Sequence, residues 1–414
     1  MSTLRILHTS DWHLGQSFFT QTRQLEHEKF INWLLSTVEA EKVDAVIIAG
    51  DIFDTGSPPS YAREAYARFV ARLQEKDCQL VVLGGNHDSV SMLNESQPVL
   101  EYLNTQVIAS TGIALDKQIV NIKNKKGNIA AIVCAVPFIR PKDVIESHAG
   151  QTPDEKSRAL SKAISDHYHL IHQEATKRRN QLNVDVPIIA TGHLTAVGAT
   201  LSDSVRDIYI GTLEAFHADG FPDVDYIALG HIHRPQKVAG KEHIRYCGSP
   251  IPLAFDEVDT QKQVVLVEFE GATRQQITPI DIPVFQAMAT LRCSLDELEE
   301  QIKATPSVRD NIPTWLSIEI QTQDYLSDLQ SRVQEIVTEY PVDILQLRRA
   351  RQAQSPALKQ EKNETLSDLS PEEVFEKRLA LEVFEGGASQ ALLERIKKRF
   401  TAALSEVITG EAES

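Results

Sequence analysis

Five short segments carry side chains able to hold metal ions, and each follows an apolar run. They are His8-Thr9-Ser10-Asp11-Trp12-His13, Gly50-Asp51-Ile52-Phe53-Asp54, Gly84-Gly85-Asn86-His87-Asp88, Gly192-His193 and Gly230-His231-Ile232-His233. Mixed oxygen and imidazole donors suit Mn²⁺, Zn²⁺ or Fe²⁺ better than calcium. Seven of these groups, Asp11, His13, Asp51, Asn86, His193, His231 and His233, are too many for one ion and enough for two that share a bridging carboxylate. Two ions about 3.5–4 Å apart acidify a water and clamp the oxygens of a phosphoryl displacement. His87, next to Asn86, reads as the acid–base group of such a reaction.

To bring these segments together, the apolar runs must be strands whose carboxyl ends converge on one edge, where open α/β sheets collect their ligands. Glycine allows the sharp turns that follow. Runs ending at Leu7, Ala49, Leu83, Ala190 and Leu229 alternate with amphipathic stretches over the first 250 residues, an α/β pattern. Helices are expected at 26–39, 62–74 and 154–182; in the last, His167, His169 and His172 read as a solvated face.

From 281 to 352 the pattern becomes a small β-α-β-α-β block, with strands at 287–293, 314–320 and 342–347 and helices at 295–302 and 327–340. A polar linker, 353–369, follows. The tail, 370–414, opens on a capping box, Ser370-Pro371-Glu372-Glu373, and is broken at Gly386-Gly387. Its apolar positions are Phe375 and Leu379, then Leu393, Ile396, Phe400 and Leu404 at helical spacing.

At roughly 150 residues per domain, 414 residues imply two or three domains. The 42 Lys and Arg against 58 Asp and Glu leave a net charge of −16, which excludes nucleic-acid binding by bulk attraction. A polyanion needs a local basic patch or bound cations. The four cysteines form no CxxC, no apolar run is long enough to span a membrane, and no signal peptide is evident, so a cytoplasmic protein is expected.

The five motifs resemble the calcineurin-type metallophosphoesterase superfamily. Thr9-Ser10-Asp11-Trp12-His13-Leu14-Gly15, the run from Gly50-Asp51-Ile52-Phe53-Asp54 to Pro58-Pro59-Ser60, Arg245-Tyr246-Cys247-Gly248-Ser249-Pro250 and the tail's Leu369-Ser370-Pro371-Glu372-Glu373-Val374-Phe375 are similar, more closely, to the nuclease subunits of bacterial SbcCD-type complexes. The resemblance implies a β-sandwich flanked by helices over 1–280, a DNA-guiding capping domain over 281–352, and a helical tail that binds an SbcC-type coiled-coil ATPase.

It also assigns Asp11, His13, Asp51 and His233 to one ion and Asp51, Asn86, His193 and His231 to the other, with Mn²⁺ favoured and Mg²⁺ an alternative. His87 takes the role of leaving-group histidine and Asp88 that of its supporting carboxylate. Archaeal and eukaryotic relatives carry a second histidine where this chain has Asp54, so that histidine's role does not transfer.

The activity implied is that of a manganese-dependent DNA nuclease. It would act as a 3′–5′ exonuclease on double-strand ends and an endonuclease on single strands and hairpins. ATP would enter only through the partner, and the setting would be the nucleoid. Arg140, Lys142 and Arg206 are the candidate DNA contacts, because their loops should open on the metal rim. A homodimer through Tyr66, Phe69, Leu73, Leu100 and Leu103 is also implied; the plainer reading of those stripes is packing on the chain's own sheet. A phosphomonoesterase of the same fold and a non-catalytic scaffold remain as rivals.

Overall fold

The computed structural model describes residues 3–145, 152–205, 215–305, 312–321 and 329–350, with 395, 399 and 400. Six strands, in the spatial order Thr273–Asp281, Gln263–Glu270, Thr3–Thr9, Ala45–Ile48, Gln79–Leu83 and Thr105–Ile108, form one sheet. Its last four strands run parallel. A second six-stranded sheet has the order Gln236–Val238, Lys241–Tyr246, Tyr226–Gly230, Ile188–His193, Ile129–Cys134 and Ile119–Lys123, parallel through its middle four.

The facing sides of the two sheets share one core, in which Ile6, Ile47, Val81 and Leu83 meet Val133, Ile189, Tyr226 and Ala228. The outer side of the first sheet (Leu7, Val46, Ile48, Val82) packs on Phe30, Leu34, Phe69 and Leu73 of helices Gln24–Ala40 and Ser60–Gln74. The outer side of the second (Ile132, Ile188, Ile227) packs on Leu160, Ile164 and Ile171 of helix Pro153–Gln181. Successive residues of a strand therefore enter different cores. Because both faces are covered, the central strands read as unbroken apolar runs rather than alternating ones.

That four-layer arrangement corrects one expectation. Tyr66, Phe69, Leu73 and Leu100 are buried in the chain's own core and Leu103 packs against it, so the stripe is not a free face. The apolar side chains left exposed nearby are Val99 and Tyr102. The histidines of the long helix divide: His169 is exposed, whereas His167 is half-buried with Nε2 3.0 Å from Gln118 Oε1. A capping box of Thr152 and Glu155, with Pro153 in the first turn, starts this helix.

Met288–Cys293, Thr314–Ile320 and Val342–Arg349 make a separate parallel sheet in chain order. Helices Leu298–Lys303 and Leu329–Val337 cover it, and Leu291, Leu298, Ile302, Leu316, Ile318, Val333 and Val337 form its own core. It meets the sandwich where Trp315 stacks on Phe18 at 5.8 Å and the buried Arg23 lies over both rings. Residues 1–349 form one compact unit and 350–414 another. The linker and Phe375, Leu379, Leu393, Ile396 and Leu404 of the tail lie outside the described residues; Phe400 is a half-buried helical residue. Among the described residues no helix is long and apolar enough to cross a membrane.

Candidate metal centre

The loops after Thr3–Thr9 and Ala45–Ile48 lie side by side, tied by Asp11 N–H to Gly50 O (3.0 Å), His13 N–H to Asp51 O (3.0 Å) and Leu14 N–H to Ile52 O (2.9 Å). In this register Asp11, His13 and Asp51 sit at φ 55°, 47° and 50°; His231, after strand Tyr226–Gly230, sits at 94°. Left-handed backbone is costly for residues with a side chain, and such strain persists only where the surroundings enforce it. Two glycines make the close approach possible. A Cβ on Gly85 would lie 2.1 Å from Asp51 Oδ1, and one on Gly230 would lie 1.9 Å from Ala49 O.

The expected ligands meet in two groups. Donor atoms of Asp11, His13 and His233 lie within 4.8 Å of one another, and so do those of Asp51, His193 and His231; all six residues are buried. Asp51 faces both groups. Its Oδ2 is 3.6 Å from His13 Nε2 and 3.2 Å from His193 Nε2. Asn86 joins the second group, with Oδ1 2.9 Å from His193 Nε2 and 3.2 Å from His231 Nδ1.

The donor chemistry fits cations. His193 Nδ1 donates to Ala49 O (2.9 Å), so the neutral ring carries a bare lone pair on Nε2, pointed at two oxygens that also only accept. A proton or a metal ion between them resolves the clash. Elsewhere in the centre, His13 Nε2 and His231 Nε2 are buried and unpartnered by any hydrogen bond. Buried polar atoms without partners are costly, and ligand positions are where they are tolerated.

The electrostatics agree. Burial opposes a charge on His193, but Asp51 and then Asp11 raise its pKa to about 9. Asp51 is held well below the usual carboxylate range, against its burial, by His193 and His13. Burial would lower His13, yet its hydrogen bond to Asp54 and the charges of Asp51 and Asp11 raise it. His231 is depressed well below the usual range, by burial first and by the charge of His193.

His87 is half-buried. Its N–H donates to Asp51 Oδ1 (2.9 Å), and its Nδ1 donates to the carbonyl of Asp54 (2.7 Å). Its ring meets His13 edge-on at 4.6 Å. The expectation that Asp88 supports His87 gives way to a different contact. The Asp88 carboxylate accepts backbone N–H groups from Gly85 (2.8 Å), Phe53 (3.0 Å) and Ile52 (3.2 Å), clamping the third loop to the second. Burial, and then the charge of Asp51, raises its pKa to about 6.

Other groups around the centre were not among the expected ligands. Asp54 Oδ1 takes His13 Nδ1 at 3.1 Å, a role invisible in the spacing. Around His233 stand Ser204, Glu257 and Lys262, which sequence reasoning missed because they come from two distant connections, one after Ile188–His193 and one before Gln263–Glu270. Of the DNA candidates, Arg140 lies over Phe138, whose ring is 6.4 Å from that of His193. Lys142 is on the short helix Pro141–Val144 that follows, and Arg206 lies outside the described residues.

Comparison with known proteins places the same residues in context. Residues 4–235 match the family model of calcineurin-like phosphoesterases. Residues 284–383 match that of the type 5 capsule protein repressor C-terminal domain. The chain is 49% identical over 411 residues to the SbcCD nuclease D subunit of Escherichia coli, covering 99% of this chain and 100% of the relative. It is 33% identical to the corresponding protein of Rhodobacter capsulatus (68% and 70% covered) and 30% identical to that of Bacillus subtilis (78% and 81%).

Proposed function

This chain belongs to the calcineurin-like phosphoesterases and, within them, to the family of SbcCD nuclease D subunits, and on that premise we propose that it is a two-metal DNA nuclease. The observation that carries the reading is the place of Asp51: one carboxylate oxygen is approached by a histidine from each of two buried ligand groups. Asp11, His13, His233 and Asp51 would hold one divalent ion, and Asp51, Asn86, His193 and His231 the other. The ions, when bound, supply Lewis acidity for phosphodiester hydrolysis and an acidified water.

The chain's own groups do the rest. His87 is oriented by its Nδ1–H bond to Asp54 O, so its Nε2 is the atom that would serve the substrate. Protonated there, it stabilises or protonates the departing sugar oxygen. Asp88 holds the loop that carries Asn86 and His87. Arg140, over the Phe138 ring that neighbours His193, and Lys142 two residues on would offer the cations that a chain of net charge −16 needs in order to hold DNA.

The finer reading is that of a manganese enzyme of the cytoplasm and nucleoid that trims double-strand ends 3′–5′ and cuts hairpins. It would work as a homodimer within a heterotetramer, with an SbcC-type ATPase gripped by the tail and supplying the dependence on ATP. The segment 281–352 would guide the DNA. Manganese with a labelled duplex and a labelled hairpin, beside a simple phosphomonoester, tests the reading. DNA cleavage that disappears in Asp51→Ala supports it; turnover of the monoester alone would favour the rival phosphomonoesterase.

A further inference from the structure

Glu257 sits on the one-turn helix Phe255–Glu257, is wholly buried and belongs to none of the sequence motifs. Both carboxylate oxygens are fully engaged. Oε1 accepts from Ser202 Oγ at 2.8 Å and from Ser204 Oγ, and lies 3.3 Å from His233 Nδ1. Oε2 accepts from Lys262 Nζ (2.6 Å), Leu253 N–H (3.0 Å) and Ser249 Oγ (3.4 Å). Lys262, itself buried, places its other donors on Ser249 Oγ (2.9 Å) and on the carbonyl of His233 (3.0 Å). Ser204 Oγ completes the ring of contacts at 2.6 Å from His233 Nδ1.

A buried ion pair contributes little net stability over an apolar replacement, because desolvation offsets attraction. This one has a local use. The acceptors Glu257 Oε1 and Ser204 Oγ face His233 Nδ1, so that nitrogen carries the proton. Nε2 is then bare and aimed by the ring's fixed tilt. Lys262 holds the backbone of His233 while neutralising Glu257.

We propose that Glu257, steadied by Lys262 and Ser204, is the positioning residue that fixes the ring tautomer of His233 and so builds the ion site of Asp11, His13 and His233. The inference rests on the two-metal reading above and goes beyond it by naming what makes one half of the centre competent. Removing such a partner of a ligating histidine typically costs about 10–100-fold in metal affinity.

The test is Mn²⁺ binding to the full chain by calorimetry, with electron paramagnetic resonance on the same samples. The wild type should bind two ions and show a spin-coupled pair. Glu257→Gln should weaken one site about 10–100-fold and leave the other unchanged. At a concentration that fills both wild-type sites it should then show the spectrum of an isolated ion, and Glu257→Asp should restore part of the coupling. Where Glu257→Gln misfolds, the double variant Glu257→Gln/Lys262→Met, which strands no charge, should give the same one-ion result. A folded variant, single or double, that binds both ions with wild-type affinity overturns the role of Glu257 and leaves the two-metal reading intact. A wild type that binds no Mn²⁺ removes the two-metal reading itself.

Discussion

On one side of Asp51, His13 and His233 turn their Nδ1 atoms to side-chain carboxylates, Asp54 at 3.1 Å and Glu257 at 3.3 Å. On the other side, His193 turns its Nδ1 to the carbonyl of Ala49 at 2.9 Å, and the neutral oxygen facing His231 Nδ1 at 3.2 Å is that of Asn86, itself a candidate ligand. The first half also has Asp11, whereas the second has no carboxylate except the shared Asp51 among the described residues. Carboxylate partners make imidazole ligands more basic and add negative charge. A backbone partner and a neutral amide ligand fix geometry without adding charge. The first half should hold its ion more tightly, and the second should leave its ion more electrophilic and more readily exchanged.

Asp51→Ala makes the largest break in this comparison. It removes the residue both halves share, and should abolish both ions and all DNA cleavage; metal analysis of the purified variant checks it. Single-half variants should separate what Asp51 joins. His193→Ala should lose the weaker ion only, while His13→Ala should lose the tighter one, so that the two variants retain one ion each with different affinities.

His87 belongs to neither half. His87→Ala should keep both ions and lower turnover by about 10²–10⁴-fold. Single-turnover cleavage beside metal content tests this, and an unimpaired variant would remove the acid–base role from His87. Asp54→Asn should act on the first half alone, raising the dissociation constant of the tighter ion by about 10–100-fold. Equal weakening of both ions would show that Asp54 serves the centre as a whole.

Much of this was legible in the residues, for a physical reason. Strand-end loops in an α/β sandwich converge, so Asp11, Asp51, Asn86, His193 and His231 announce themselves as polar groups directly after apolar runs. The strands themselves were readable because both faces are buried and the runs are continuous. Strand 314–320 in the small sheet is found at Thr314–Ile320.

What was not legible depends on chain segments meeting from a distance. Glu257 and Lys262 reach His233 from sequence positions with no pattern. Asp88 looks like a partner for its neighbour His87 in sequence, yet three backbone N–H groups from two loops claim it. Tyr66, Phe69 and Leu73 form a helical stripe that reads alike for a dimer and for a core; the layer order decides for the core. Nor does sequence reveal that three candidate ligands of the paired loops, Asp11, His13 and Asp51, adopt left-handed backbone.

Outside the centre the expected effect is on stability alone, and it concerns His8, whose titration burial chiefly governs. His8 is buried in the sandwich with its Nδ1 3.0 Å from the Tyr226 hydroxyl, and burial lowers its pKa to about 3; the charge of Asp51 instead raises that of His193 to about 9. A depressed histidine binds fewer protons folded than unfolded, so stability is full above its unfolded pKa and falls as pH drops from about 6.5 towards 3. The slope is about 1.4 kcal/mol per pH unit from this group. His8→Gln, which retains an acceptor for Tyr226, should flatten the acid limb of denaturant midpoints by that amount. An unchanged slope would show that His8 is not the group responsible.

The proposed centre turns on one carboxylate, Asp51, joining two unequal ion sites. Anomalous scattering at the manganese edge, from crystals of the full chain equilibrated with Mn²⁺, tests it most directly. Two peaks about 3.5–4 Å apart on either side of Asp51 are expected, with the peak between Asp11, His13 and His233 filling first as Mn²⁺ is raised. A single peak at saturating Mn²⁺, or a pair that Asp51 does not bridge, would contradict it.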